Sequence, residues 1–444
     1  MKKKLAISAA ILIILCLCSC GMIPAVEYEE ELITDEPVAE QTSEIPEITE
    51  AEETEENAVS EISPETEPIP ETEQESEPEP EPEPLPDAYQ LDTVVRYNDR
   101  YAGSLSDDSY YTYLTTEAES TVSVTAEEDI YSLYIIWEVV PAEWKIISGD
   151  CEADCSDLRY IHQYVELANP SACVEIITGA EYGKMCDVYA FSYGNVPSWV
   201  QKWKQAETVD IMLFPTHSDD EVLFMGGIMP KYIDMGYEIQ VVYMTTHTLA
   251  ERKHERLNGL WTLGVDNYPE INPQLDVNCD NFYRALYHYG EENFTGFQVE
   301  MIRKYHPLVV VGHGEDGEYG HGAHLLNTYC LQNAVVAAAD EEQYPDSAGL
   351  YGTWDTPKLY LHDTGDKITT LDYETPLESF GGKTAFELAE EAFECHYSQH
   401  GMGLYVNDTG DTHDSHRFGL YRSLVGDDIE CNDLLENINI ADYR

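Results

Sequence analysis

Residues 209–228 read VDIMLFPTHSDDEVLFMGGI, and this stretch decides the fold class. The apolar run Val209–Phe214 has the length and continuity of a strand buried on both faces, as in a parallel sheet covered by helices. It stops at Pro215, and His217, Asp219, Asp220 and Glu221 follow almost together. An apolar segment of helical length then runs from Val222 to Met235. Pro230 within it predicts a kink or a late start, and Gly236 suits its end. Polar groups at the carboxyl end of a parallel strand stand where open α/β sheets bind ligands. Adjacent carboxylates repel one another unless a cation or a proton lies between them. The stretch therefore predicts a metal site, to which another part of the chain must add a ligand.

Downstream, Glu238–Thr246 reads as a second strand and Leu308–Gly312 as a third. Between them, Ala250–Leu263 reads as a helix with Arg252, Glu255 and Arg256 on one side and Gly264 as its stop. A further helix is expected over 297–305. This alternation implies a parallel sheet with crossover helices. The third strand also ends in polar residues, from His313 through Glu315, Asp316, Glu318 and Tyr319 to His321 and His324. His321 and His324 open a helix continuing over 325–339, and their spacing of three puts both rings on one face. His217, Asp220 and one histidine of this second cluster make a two-histidine, one-carboxylate set, the composition of a catalytic zinc site. A lone histidine at either place would read as a surface or capping residue. Two clusters converging on one sheet edge read as ligands.

The rest of the chain bounds the setting. Met1-Lys2-Lys3-Lys4, the apolar run Leu5–Leu17 and Cys18-Ser19-Cys20-Gly21 read as a signal peptide over 1–20. The ending matches a bacterial lipobox, with Cys20 the expected lipid-bearing amino terminus. Residues 21–87 contain 25 acidic residues and no Lys or Arg, and Pro-Glu alternation closes them. Such a stretch buries too little apolar surface to offset its ordering entropy, so a disordered, extended tether is expected. The formal net charge is −63, and residues 88–444 remain strongly acidic without a basic stripe, which excludes nucleic acid as a partner class. Eight cysteines follow Cys20, an even number that permits disulfides in an exported chain. Cys173 with Cys186 is the favoured pair. Residues 88–205 carry short alternating runs (110–116, 120–125, 131–139, 160–167, 172–178, 185–192), as in a small antiparallel β-sandwich. Such a module either binds carbohydrate or packs against its neighbour. Asp408–His416 reads as a solvated loop, with calcium or a second metal as the alternative, and 430–437 as a segment that packs the terminus down.

THSDDE with VLFMGG, then RKHE and LG within 252–264, then GEYGHGAH resemble the LmbE/PIG-L family of zinc-dependent N-acetylglucosamine deacetylases. The resemblance covers about residues 209–400 and includes His396-Tyr397-Ser398-Gln399 near its end. It implies a Rossmann-like α/β domain over 206–444. It also implies zinc on His217, Asp220 and His324, Asp219 as general base, and His321 and Tyr319 as groups that steady the oxyanion and assist the leaving amine. Arg252 falls near a substrate-contacting region, and Glu221 reads as a supporting carboxylate. Two positions depart from the family. Ser218 replaces a proline, which removes a restraint but no catalytic group. Ala323 replaces an aspartate that tunes the histidine matching His321, a task for which Glu315 or Asp316 is the available substitute. The sequence thus implies an extracytoplasmic, lipid-anchored deacetylase acting on an N-acetylated sugar or glycan. The alternatives are a cell-surface glycan-binding lipoprotein with weakened catalysis, or an amidase on another acylated conjugate.

Overall fold

The computed structural model describes residues 84–157 and 159–444. The expected signal peptide, Cys20 and the acidic stretch up to residue 83 lie outside the described residues. Among the described residues, no helix is long and apolar enough to cross a membrane.

The first sheet is an antiparallel ladder of β1 (Thr93–Tyr97), β2 (Arg100–Tyr101), β3 (Leu114–Thr116), β4 (Thr121–Val139), β5 (Trp144–Ser148), β6 (Cys151–Asp154), β7 (His162–Thr178) and β8 (Gly183–Phe191). The expected short runs merge. Residues 120–125 and 131–139 lie largely in the two halves of β4, and 160–167 and 172–178 in those of β7. The exposed residues Glu127, Glu128 and Asp129 break the alternation without reversing the chain, and the ladder shifts register there, between Thr125, Ile130 and Ser132. A strand that bends at such an irregularity passes from one packed layer to the next. The first half of β4 pairs with β1 and the second with β8, while Val122, Val124, Leu133, Ile135, Val174 and Ile176 share one core. The eight strands form one continuous antiparallel sheet in which the long strands β4 and β7 bend. The expected Cys173–Cys186 bridge is absent, and both cysteines are free thiols. Cys173 is exposed and pairs with Thr125 on the first half of β4, whereas Cys186 is buried with Tyr134, Ile136 and Phe191 beside the second half.

The second sheet contains β9 (Ile211–Leu213), β10 (Ile239–Tyr243), β11 (Glu270–Ile271), β12 (Val309–Gly312), β13 (Lys358–His362), β14 (Ile368–Thr370) and β15 (Arg417–Ser423). Their order is β11-β10-β9-β12-β13-β15-β14, parallel from β11 to β13 with an antiparallel edge of β15 and β14. The helices are α1 (Asp220–Met225), α2 (Ile228–Asp234), α3 (Ala250–Thr262), α4 (Phe282–Tyr289), α5 (Glu291–Tyr305), the single turn α6 (Gly317–Gly320), α7 (Gly322–Ala337), α8 (Pro345–Tyr351) and α9 (Ala385–Phe393). Successive residues of a strand face opposite sides. Ile211 and Leu213 accordingly join the core under α1, α2, α3 and α9, while Met212 joins the one under α5 and α7.

The helix expected over Val222–Met235 is two, α1 and α2, joined by Gly226 and Gly227. A Cβ on Gly227 would lie 2.3 Å from the Tyr373 ring, and one on Gly226 2.9 Å from Ala389 Cβ. The glycines thus admit α9 and Tyr373 to close contact. Pro230 is the third residue of α2, within the first turn, where a helix needs no amide hydrogen. Its signal was a late start.

β9 has β10 on one side and β12 on the other, so the winding of the chain reverses about it. That reversal opens a crevice at the carboxyl ends of β9 and β12. The first sheet packs beside it on α3. His162 Nε2 lies 2.8 Å from His254 Nδ1, Lys253 pairs with Glu138 at 3.1 Å, and Tyr160 stacks on Tyr268 at 4.4 Å.

Helix α7, which carries His324, is secured at its far end by Arg303 of α5. This enclosed guanidinium reaches the carbonyls of Ala337 (3.0 Å), Ala338 (3.1 Å), Asp340 (2.7 Å), Gln343 (2.9 Å) and Tyr344 (2.8 Å). These carbonyls include the final acceptors that a helix leaves without internal partners. Arg303→Met is expected to lower the unfolding free energy by about 3 kcal/mol, read from urea denaturation, because buried acceptors lose a charged donor.

Candidate active site

The crevice assembles the residues singled out in the sequence. His217 Nδ1 lies 3.0 Å from Asp220 Oδ2 and 3.1 Å from His324 Nε2, and the last two atoms are 3.2 Å apart. All three residues are buried. A tetrahedral ion with ligand bonds of 2.0–2.1 Å has donor–donor edges of about 3.3 Å, so this triangle fits a zinc-sized ion with small adjustment. Two imidazole nitrogens and one carboxylate oxygen converging at this spacing are a donor set for a metal. His324 Nδ1 meets Glu318 Oε2 at 2.8 Å, and His217 Nε2 faces Asp276 Oδ1 at 3.5 Å. The carboxylate on the far nitrogen of His324 fixes the tautomer that leaves its near nitrogen free for a metal.

His313 Nε2 stands 3.5 Å from Asp220 and completes a second geometric grouping with His324. It is not a free donor, since that nitrogen accepts the Thr216 N–H at 3.0 Å while Nδ1 meets Glu318 Oε2 at 3.1 Å. Glu318 therefore serves three rings, the third being His362, whose Nδ1 is 3.1 Å from Oε1. It does so from a backbone with φ of +59°, a strained conformation for a non-glycine residue. Burial would raise its pKa, but His313 and the hydrogen bonds from these histidines hold it well below the usual range.

Asp219 caps α1 with φ of +136°. Its Oδ1 is 3.3 Å from Arg252 Nη2, and its amide donates to Glu221 Oε2 at 2.8 Å. Burial, then the charge of Asp220, pushes its pKa up to about 7, against the pull of Arg252 and His396. Glu221 lies 3.1 Å from His396 Nε2. Glu255 accepts from the Ser398 amide and hydroxyl at 2.7 and 2.6 Å, so residues 396–398 are bound onto α3 beside Arg252. Ser218 uses what a proline lacks, an amide hydrogen, which donates to His247 Nε2 at 3.4 Å.

His321 and Tyr319 stand at the mouth. The His321 ring centre is 4.8 Å from that of His217 and 4.7 Å from that of His324, and the Tyr319 ring is 5.6 Å from His324. His321 Nδ1 is buried with no hydrogen-bond partner. The expected substitutes for the missing aspartate do not reach it. Asp316 accepts the Glu318 amide at 3.0 Å, and Glu315 turns outward to Gln332 at 2.9 Å. Burial, then the nearby His324 and His217, lowers the His321 pKa to about 3. Burial raises the Tyr319 phenol, which stays protonated.

His247, Asp276, His313, Glu318 and His362 were not singled out as site residues. One signal was available for the histidines. His217, His247 and His313 follow β9, β10 and β12, and His362 ends β13, so each of these parallel strands delivers a histidine at its carboxyl end. Asp276 had no such marker, because its partner His217 comes from another loop, whereas Glu318 stood in the second polar cluster, five residues after His313 and six before His324.

No family model matched the sequence. The chain is similar to 1D-myo-inositol 2-acetamido-2-deoxy-α-D-glucopyranoside deacetylases. That of Geodermatophilus obscurus is 25% identical over 205 residues, 38% of this chain and 69% of that protein. That of Rhodococcus jostii is 28% identical over 182 residues, 34% of this chain and 60% of that protein. The chain thus spans between 60% and 69% of these two relatives. Among solved structures, an N,N′-diacetylchitobiose deacetylase of Pyrococcus horikoshii shares 20% identity, with a TM-score of 0.33 over 44% of this chain and 71% of that one.

Glu318→Gln is expected to weaken metal binding about 10–100-fold in chelator competition, because His324 loses the carboxylate that orients it. Ala323→Asp should raise the His321 pKa, read by NMR titration of the ring. An unmoved titration would show that the alanine does not set the state of His321.

Proposed function

We propose that this chain, whose α/β domain belongs with the LmbE/PIG-L deacetylases, is a metal-dependent hydrolase that removes an N-acetyl group from an N-acetylated sugar or glycan. The observation that carries this reading is the donor triangle of His217, Asp220 and His324 with Asp219 beside it at the switch point of the sheet. His217, Asp220 and His324 would hold zinc, which when bound supplies Lewis-acid polarisation of the acetamide carbonyl and acidifies water. Asp219 accepts the proton of the attacking water, for which a buried carboxylate with a pKa near the working pH is suited. Tyr319, a neutral phenol at the mouth, donates a hydrogen bond to the carbonyl oxygen as it gains charge. His321 passes a proton to the leaving amine only from a state that its surroundings disfavour. The signal-peptide reading of residues 1–20 and the lipobox reading of Cys20 support a lipid-anchored, extracytoplasmic enzyme, with wall, capsule or environmental glycans as the substrate pool. A second reading, a surface glycan-binding lipoprotein with weakened catalysis, draws support from the unpartnered His321 Nδ1.

Acetate release from a panel of N-acetylated glycans, with and without a chelator, separates the two readings. The first requires release that the chelator stops, the second requires binding without release. Asp219→Ala should reduce turnover about 10²–10⁴-fold while metal content is unchanged. Because Asp219 works deprotonated and Arg252 lowers its pKa, Arg252→Met should move the acid limb of the pH–rate profile to higher pH.

A further inference from the structure

Outside the crevice, His416 presents a second donor built to the same plan. It precedes β15, is 2% exposed, and lies with its ring centre 4.6 Å from that of Tyr373 and 5.7 Å from that of Phe386. Its Nδ1 meets Asp414 Oδ1 at 2.9 Å. That carboxylate is held in place by the His416 amide at 3.0 Å and the Gly410 amide at 2.9 Å. A carboxylate acceptor on Nδ1 puts the ring proton there and leaves Nε2 as a bare lone pair. Nε2 is buried and has no hydrogen-bond partner. An unmade bond at a buried acceptor costs about 1–3 kcal/mol, so a group shaped this way calls for a ligand. One ring nitrogen of His416 and one carboxylate oxygen each of Glu374 and Asp408 lie within 4.8 Å of one another. Nδ1 is engaged by Asp414, so we take Nε2 as the nitrogen that completes the group. Among the described residues, neither Glu374 nor Asp408 pairs with Lys or Arg.

We propose that His416, Glu374 and Asp408 form a second divalent-cation site, separate from the crevice and with Asp414 as the carboxylate that orients its histidine. An imidazole with two carboxylates suits zinc, cobalt or manganese, whereas calcium takes oxygen ligands. Glu374 and Asp408 are exposed, so water completes the coordination shell. The ion ties together three stretches: the turn after β14 that contains Glu374, the loop around Asp408, and the start of β15. Its effect extends to the crevice through contacts already in place. The Asp414 carbonyl is 3.3 Å from His362 Nε2, His362 Nδ1 is 3.1 Å from Glu318 Oε1, and Glu318 Oε2 is 2.8 Å from His324 Nδ1. The second ion thus braces the loop on which the outer end of that chain rests.

Equilibrium dialysis against zinc alone, and against manganese alone, followed by elemental analysis, tests the proposal on the full chain. The wild-type chain should bind two equivalents of zinc. Glu374→Gln/Asp408→Asn, which alters only exposed side chains, should bind one. His217→Ala/Asp220→Asn should also bind one, and combining all four substitutions should leave none. Asp414→Asn should weaken the second equivalent about 10–100-fold without removing it. A second equivalent that survives Glu374→Gln/Asp408→Asn would be an adventitious ion only and would overturn the proposal. So would a wild-type chain with one equivalent that His217→Ala/Asp220→Asn removes. One equivalent lost in Glu374→Gln/Asp408→Asn and kept in His217→Ala/Asp220→Asn would instead uphold this site and refute the one in the crevice.

Discussion

Three consecutive carboxylates, Asp219, Asp220 and Glu221, are buried together at the end of β9. Like charges at such separations in a medium of low dielectric repel strongly, and each needs its own compensation. The fold supplies three different ones. Asp220 faces His217 and His324, Asp219 faces Arg252, and Glu221 faces His396. Apart from His217 of the same loop, these partners come from α7, α3 and the segment after α9, so the elements that must converge on β9 are dictated by what its carboxylates require. The same separation divides the labour. Asp220 is held ionised among donors for a metal, while burial and the charge of Asp220 raise the Asp219 pKa to about 7 against the pull of Arg252 and His396.

Helix α3 carries this arrangement outward. Its Arg252 and Glu255 face the crevice and residues 396–398, and its Lys253 and His254 face the first sheet. Buried polar contacts of this kind are costly unless matched, so they set the register of the two surfaces. The antiparallel module is thus part of the support for the helix that controls Asp219. Glu318 plays the corresponding part on the other side, where one strained carboxylate orients His313, His324 and His362.

What could be read from the sequence was whatever depends on local pattern. The apolar run before His217 specifies a buried strand by its length, and the alternation of strands and helices specifies a parallel sheet. Polar clusters at the ends of β9 and β12 therefore had to lie on the same edge, which is why His217 and Asp220 could be joined with a histidine of the second cluster before any coordinates, the family resemblance and not the pattern implying His324. The bends in β4 and β7 were not legible, because exposed acidic residues interrupt alternation whether the chain turns back or only kinks.

The parts that only the tertiary structure decided are contacts between residues distant in the chain. Asp276 opposite His217, Glu318 against His362 and His396 against Glu221 are pairings across loops, and no periodicity encodes them. The same holds for Ala323. The sequence shows that a carboxylate is missing beside His321, but only the packing shows that neither Glu315 nor Asp316 turns inward to replace it. Local sequence determined which groups stand at the edge of the sheet. The fold decided their charge states, because burial and the partner on the far side of each ring set them.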